Sequence, residues 1–148
     1  MRRHHPALQP TPWRAADRPR VLIEHHDWAI ATAVGNLLVA EGYEVSSCGG
    51  PNDRRHHECP LARGGDCDRA DEADIVFFGL NIADEDDRAV LLAWRDRHPE
   101  VPVVVELPVS RIPLYQDELE GCLTVPQPMT RETLLDAVNR ARTVGGYR

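Results

Sequence analysis

The sequence predicts an α/β domain built on a doubly wound, five-stranded parallel sheet, and three observations carry that prediction. Asp74-Ile75-Val76-Phe77-Phe78-Gly79-Leu80 is an apolar run that opens on an acid and passes through a glycine, the pattern of a strand covered on both faces. Val101-Pro102-Val103-Val104-Val105 repeats it. Around these runs, segments of helical periodicity alternate with shorter strand-like segments, as β/α crossovers require. At 148 residues and 42% hydrophobic content, the chain has material for one domain core and not for two.

Taken in order, residues 1–19 hold Arg2, Arg3, His4, His5 and the prolines Pro6, Pro10, Pro12 and Pro19 without periodicity. They are expected to form a flexible arm before a domain spanning 20–148. Val21-Leu22-Ile23 begins the first strand, which ends at Glu24-His25-His26-Asp27. Asp27 is a natural N-cap for a helix from Trp28 to about Glu41, whose Ile30, Val34, Leu37 and Leu38 lie on one face. Gly42 closes that helix, and Tyr43-Glu44-Val45-Ser46 alternates as an edge strand.

From Ser47 to Glu72 the periodicity disappears, and Leu61 is almost the only large apolar residue. Such a segment buries too little surface to form a packed helix, so a cysteine-rich loop over 48–72 is expected in place of a second helix. The buried strand at 74–80 follows. Asp84-Glu85-Asp86-Asp87 favours the start of a helix to about His98, with Val90, Leu91 and Trp94 as its buried stripe. After the strand at 101–105, only Pro108–Gly121 separates it from Leu123-Thr124-Val125. That leaves room for a shortened fourth helix around Gln116–Glu120. Thr130 then caps a last helix to about Arg142 through Leu134, Leu135, Val138 and Ala141.

Composition narrows function. The net charge of −7 comes from 24 acids and 17 bases, and every base is arginine. An acidic surface disfavours direct contact with nucleic acid or anionic lipid, and only Thr143–Arg148 follows the last helix. No stretch approaches a membrane span of about 18 apolar residues, and the start lacks a secretory apolar core, so a cytoplasmic protein is expected. In that reducing setting the four cysteines favour metal binding or free thiols over structural disulfides.

The order of elements, with right-handed crossovers, gives the flavodoxin-like sheet 2-1-3-4-5. Four stretches resemble the receiver domain of bacterial response regulators: Val21–Asp27, where the family has a strand ending in an acidic pair; Ala73–Leu80, where it has the strand of the phosphoacceptor aspartate; Pro102–Pro108, where it has the fourth strand; and Leu123–Pro128, where it has a fifth strand with a cis-proline turn. The resemblance covers about residues 20–142. It implies a phosphorylation pocket whose chemistry needs a carboxylate acceptor, two acids for Mg²⁺, a hydroxyl and a lysine. Here the acceptor position is Gly79, the acidic pair falls on His25 and His26, the hydroxyl position on Leu107 and the lysine position on Val125. A register shifted by one residue would bring Glu24 or Asp27 into the pocket. Imidazoles are poor Mg²⁺ ligands, so no Mg²⁺ is expected. The comparison implies a pseudo-receiver, not an enzyme, that acts by binding a protein partner or a second copy of itself through Trp28, Leu114, Tyr115 and the last helix.

The cysteine segment adds a second reading. Cys48, Cys59 and Cys67, with His56 or His57, have the chemistry of a tetrahedral zinc site in a loop too polar to fold by burial. The spacing lacks a CxxC knuckle. An iron–sulfur cluster, a redox disulfide and free thiols stay open as alternatives. The segment also resembles a cysteine-containing loop before the third strand of actinobacterial receiver-like proteins, which implies no activity. His25 and His26 at a strand end offer a further small-molecule or metal pocket. Cys122 is expected as a small buried hydrophobe.

Overall fold

A computed structural model describes Trp13, residues 17–52 and residues 59–144. The five strands are β1 (Arg20–Glu24), β2 (Glu44–Cys48), β3 (Ile75–Phe78), β4 (Val103–Pro108) and β5 (Leu123–Gln127). All neighbours pair in parallel, in the order β2-β1-β3-β4-β5. The helices are α1 (Trp28–Ala40), α2 (Asp68–Asp71), α3 (Glu85–Arg97) and α4 (Arg131–Val144).

Residue parity along the strands builds the two sides of the core. Val21, Ile23, Ile75, Phe77, Val104 and Val125 pack against α1 and α4. Leu22, Val76, Phe78, Val103 and Val105 pack against α3 and the 59–73 segment, with Trp94 fully buried among them. Asp27 caps α1 by accepting from the Ala29 and Ile30 N–H groups, and Asp84 caps α3 through the Asp87 N–H.

The structure corrects several expectations. β2 begins one residue later than Tyr43 and runs on to Cys48, which places that thiol at the sheet edge. The 47–72 segment is not wholly loop: a 3-10 turn at Leu61–Arg63 and the single turn of α2 bury Leu61 and Ala70. Two small apolar anchors are enough to hold one turn each where a full amphipathic helix could not form. Between β4 and β5, 3-10 structure covers Val109–Tyr115, ahead of the predicted 116–120. The start of the chain is not all free arm, because Trp13 packs on the α3-side core with the Arg20 guanidinium 5.9 Å from its ring centroid. Among the described residues, no helix is long and apolar enough to cross a membrane.

Candidate functional site

The C-terminal ends of β1, β3, β4 and β5 meet around an open cavity of about 310 Å³. His25, His26, Asp27, Gly79 and Leu107 all line it. Val125 does not. It is level with Glu106 in the ladder and turns into the α1 and α4 core, 1% exposed. The β5 residue at the cavity is instead Gln127, because the strand continues two residues past its apolar run and ends at a cis Gln127–Pro128 bond.

His25 fills the place where residue 79 would carry a side chain. A Cβ built on Gly79 would overlap His25 Cδ2 and would stand 3.2 Å from both His25 Nε2 and Glu106 Oε1. The imidazole is oriented by the Asp27 N–H, which donates to Nδ1 at 3.0 Å. That leaves the ring proton on Nε2, 3.4 Å from Glu106 Oε1. The Glu106 oxygen is buried, and none of the described residues donates a hydrogen bond to it. Glu106 is absent from the pocket positions that the sequence predicts; it lies just past the apolar run of β4.

His26 does not converge with His25. Its Nε2 donates to Asp87 Oδ2 at 2.6 Å, as adjacent residues leaving a strand point apart. Asp87 is fully buried and also accepts from the Asn81 N–H and from the Asn52 side-chain amide, both at 2.9 Å. The sequence reading took Asp87 for a helix-start charge. Its spacing of three, four and seven from Val90, Leu91 and Trp94 places it on the buried stripe, a signal that was available.

Glu24 is absent from this cavity, so the shifted register that would have brought it there does not occur. It shares the face of Leu22, is 2% exposed and receives the Trp94 indole N–H at 3.2 Å. Burial pushes its carboxyl up to about 8, against the opposing effect of that hydrogen bond.

Beside Glu24 lies a second, smaller cavity of about 60 Å³, whose walls include Cys48, Cys59, Cys67 and Arg69. All three cysteines are free thiols. Burial pushes Cys48 up to about 12 and raises Cys59 as well. His56 and His57 lie outside the described residues. Among the described residues, no group of three or more His, Cys, Asp or Glu side chains is placed to hold a metal ion as the chain stands. Cys122 is half-buried, its thiol also raised by burial.

No family model and no curated protein sequence matches the chain. Its fold is similar to solved structures of bacterial signalling proteins. NtrX from Brucella abortus, solved in complex with ADP, superposes at TM-score 0.66 with 22% identity over 87% of this chain and 27% of NtrX. This chain therefore matches about a quarter of that protein. CheY4 from Vibrio cholerae gives TM-score 0.62 and 17% identity over 84% of this chain and 98% of CheY4. The signal receiver domain of a Bacteroides fragilis response regulator gives 0.63 and 19% over 84% and 96%. With its sheet order and helix placement, the chain has the flavodoxin-like fold of response-regulator receiver domains.

Proposed function

We propose that this chain is a phosphorylation-independent receiver-like module that regulates by protein contact and carries no enzymatic activity of its own. The observation that carries the reading is the His25 ring standing over Gly79. An acyl phosphate needs a carboxylate at that point and a hard cation beside it. Among the described residues the carboxylate that reaches it is Glu106, which faces an imidazole where Mg²⁺ would be held by acids. Asp27 spends one oxygen on the cap of α1. The partner is a protein or a second copy, met on exposed apolar residues: Trp28 is 50% exposed and Leu114 72%. Tyr115, proposed from sequence for the same surface, is half-buried against the α3-side core and contributes less. The net charge of −7 disfavours nucleic acid and anionic membranes as partners. The test is incubation with Mg²⁺ and a small acyl-phosphate donor, read by intact mass. No added phosphoryl group is expected, and stoichiometric addition lost in Glu106→Gln would overturn the reading.

A second reading is favoured by the thiol-lined cavity: a metal-binding or redox-sensing regulator using Cys48, Cys59 and Cys67 with His56 or His57. Three of the four cysteines border one space, and thiolates are the donors that zinc and iron–sulfur clusters take. Metal content of chain purified under anaerobic conditions tests it: about one metal per chain supports it, and metal-free chain with three titratable thiols sinks it.

A further inference from the structure

We propose that the receiver cavity is a binding site for a small organic cation, a primary ammonium ion on a short apolar body, with Glu106 as its counter-ion. The inference goes beyond the phosphorylation-independent reading above, which holds whether or not the cavity takes a ligand and is tested separately by phosphoryl uptake.

Glu106 carries the argument. It is 8% exposed, it lines the cavity, and no described residue donates a hydrogen bond to its Oε1. A buried carboxylate left in that state costs free energy that a cation with N–H donors recovers. His25 supplies no such charge. Its Nδ1 accepts the Asp27 N–H at 3.0 Å, which makes the ring neutral, and its Nε2 stays 3.4 Å from Glu106 Oε1, beyond an ordinary N–H···O hydrogen bond. The other charged side chains lining the space are Asp27 and Arg111. Asp27 spends only Oδ1 on the cap of α1. Arg111 is exposed, so water and salt screen its repulsion, whereas the buried Glu106 acts through a lower dielectric.

The kind of cation follows from the donors and the walls. Among the described residues no group of three His, Cys, Asp or Glu side chains is placed to hold a metal ion, so a bare metal would be short of ligands. An ammonium brings three N–H donors of its own. The buried Leu80, Ile82 and Leu107 line the same space and suit an apolar body. The volume of about 310 Å³ stands at the small end of ligand sites, which run from about 300 to 1,000 Å³.

The experiment follows backbone amide NMR signals of the full chain as hexylammonium, hexanol and hexanoate are added separately, one apolar body with three head groups. Hexylammonium is expected to shift the Gly79, Asn81 and Glu106 amides saturably and to bind on the order of tenfold more tightly than the other two. Glu106→Gln should abolish that preference and leave hexanol binding unchanged, and Arg111→Gln should keep the preference. Amide spectra of each variant confirm folding; if Glu106→Gln does not fold, the comparison of head groups on the unaltered chain decides. Equal affinity for the three, tighter binding of hexanoate, a preference for hexylammonium that survives Glu106→Gln, or one that is lost in Arg111→Gln overturns the proposal. So does the absence of any saturable shift, which would leave the cavity to water.

Discussion

The His25 ring lies so close to Gly79 that a Cβ there would overlap His25 Cδ2, and any side chain at position 79 would have to displace the imidazole. The absent acceptor and the histidine in the acidic-pair position are therefore one packing arrangement. The glycine is required by the ring above it and not by its own backbone, since its φ is not among the positive values.

It follows that Gly79→Ala destabilises by about 1–3 kcal/mol, the usual cost of overpacking. In a His25→Ala background the same change should cost little. A double-mutant cycle by chemical denaturation measures the coupling. For the same reason Gly79→Asp alone does not restore phosphorylation; additive costs at the two positions would show that the ring moves aside freely.

Asp87 is fully buried and holds three donors from three loops. His26→Ala removes one of them, and a loss of about 1–3 kcal/mol is expected. Asp87→Ala strands all three donors and costs more. Thermal unfolding of both variants checks the order; equal, small losses would count against the network.

Glu24 gives stability a pH signature. Its carboxyl keeps a proton to about pH 8 in the folded chain, whereas the unfolded chain releases it near the ordinary 4.5. Between those values the folded state binds the extra proton, so raising pH across that window lowers stability, by on the order of a few kcal/mol at most. The loss levels off above about 8. With a metal chelator present, Glu24→Gln should be flat over the window apart from contributions common to both proteins, and more stable than the parent at pH 8. Urea midpoints at pH 5 and pH 8 give the comparison; a difference between the two proteins that does not change with pH would mean that Glu24 is ionised in the fold.

Leu114, at 72% exposure, and Val109, at 59%, lie on the 3-10 segment that replaces most of a fourth helix. Leu114→Arg should leave stability within about 0.5 kcal/mol and weaken association with the partner or the second copy. Sedimentation of the purified chain across a concentration series reads the self-association case, and unchanged association would remove this surface from the proposed interface.

Much of this was determined by the sequence alone. The apolar runs at 74–80 and 101–105 set the buried strands, Asp27 and Asp84 set the helix starts, and the missing side chain at 79 is a matter of residue identity. Strand parity even held Glu24 on the face of Leu22, and helical spacing held Asp87 on the stripe of Trp94. What only the tertiary structure decided is which ends meet. Val125 was misplaced because β5 extends to Gln127, beyond the apolar residues that mark it, held there by ladder bonds to β4. Glu106 gained its place beside His25 because β3 and β4 bring residues distant in sequence level with one another. The thiol cavity likewise joins Glu24 to cysteines from three later segments. Periodicity reports the face a residue occupies, whereas convergence at a sheet's edge depends on register between strands, which no single segment encodes.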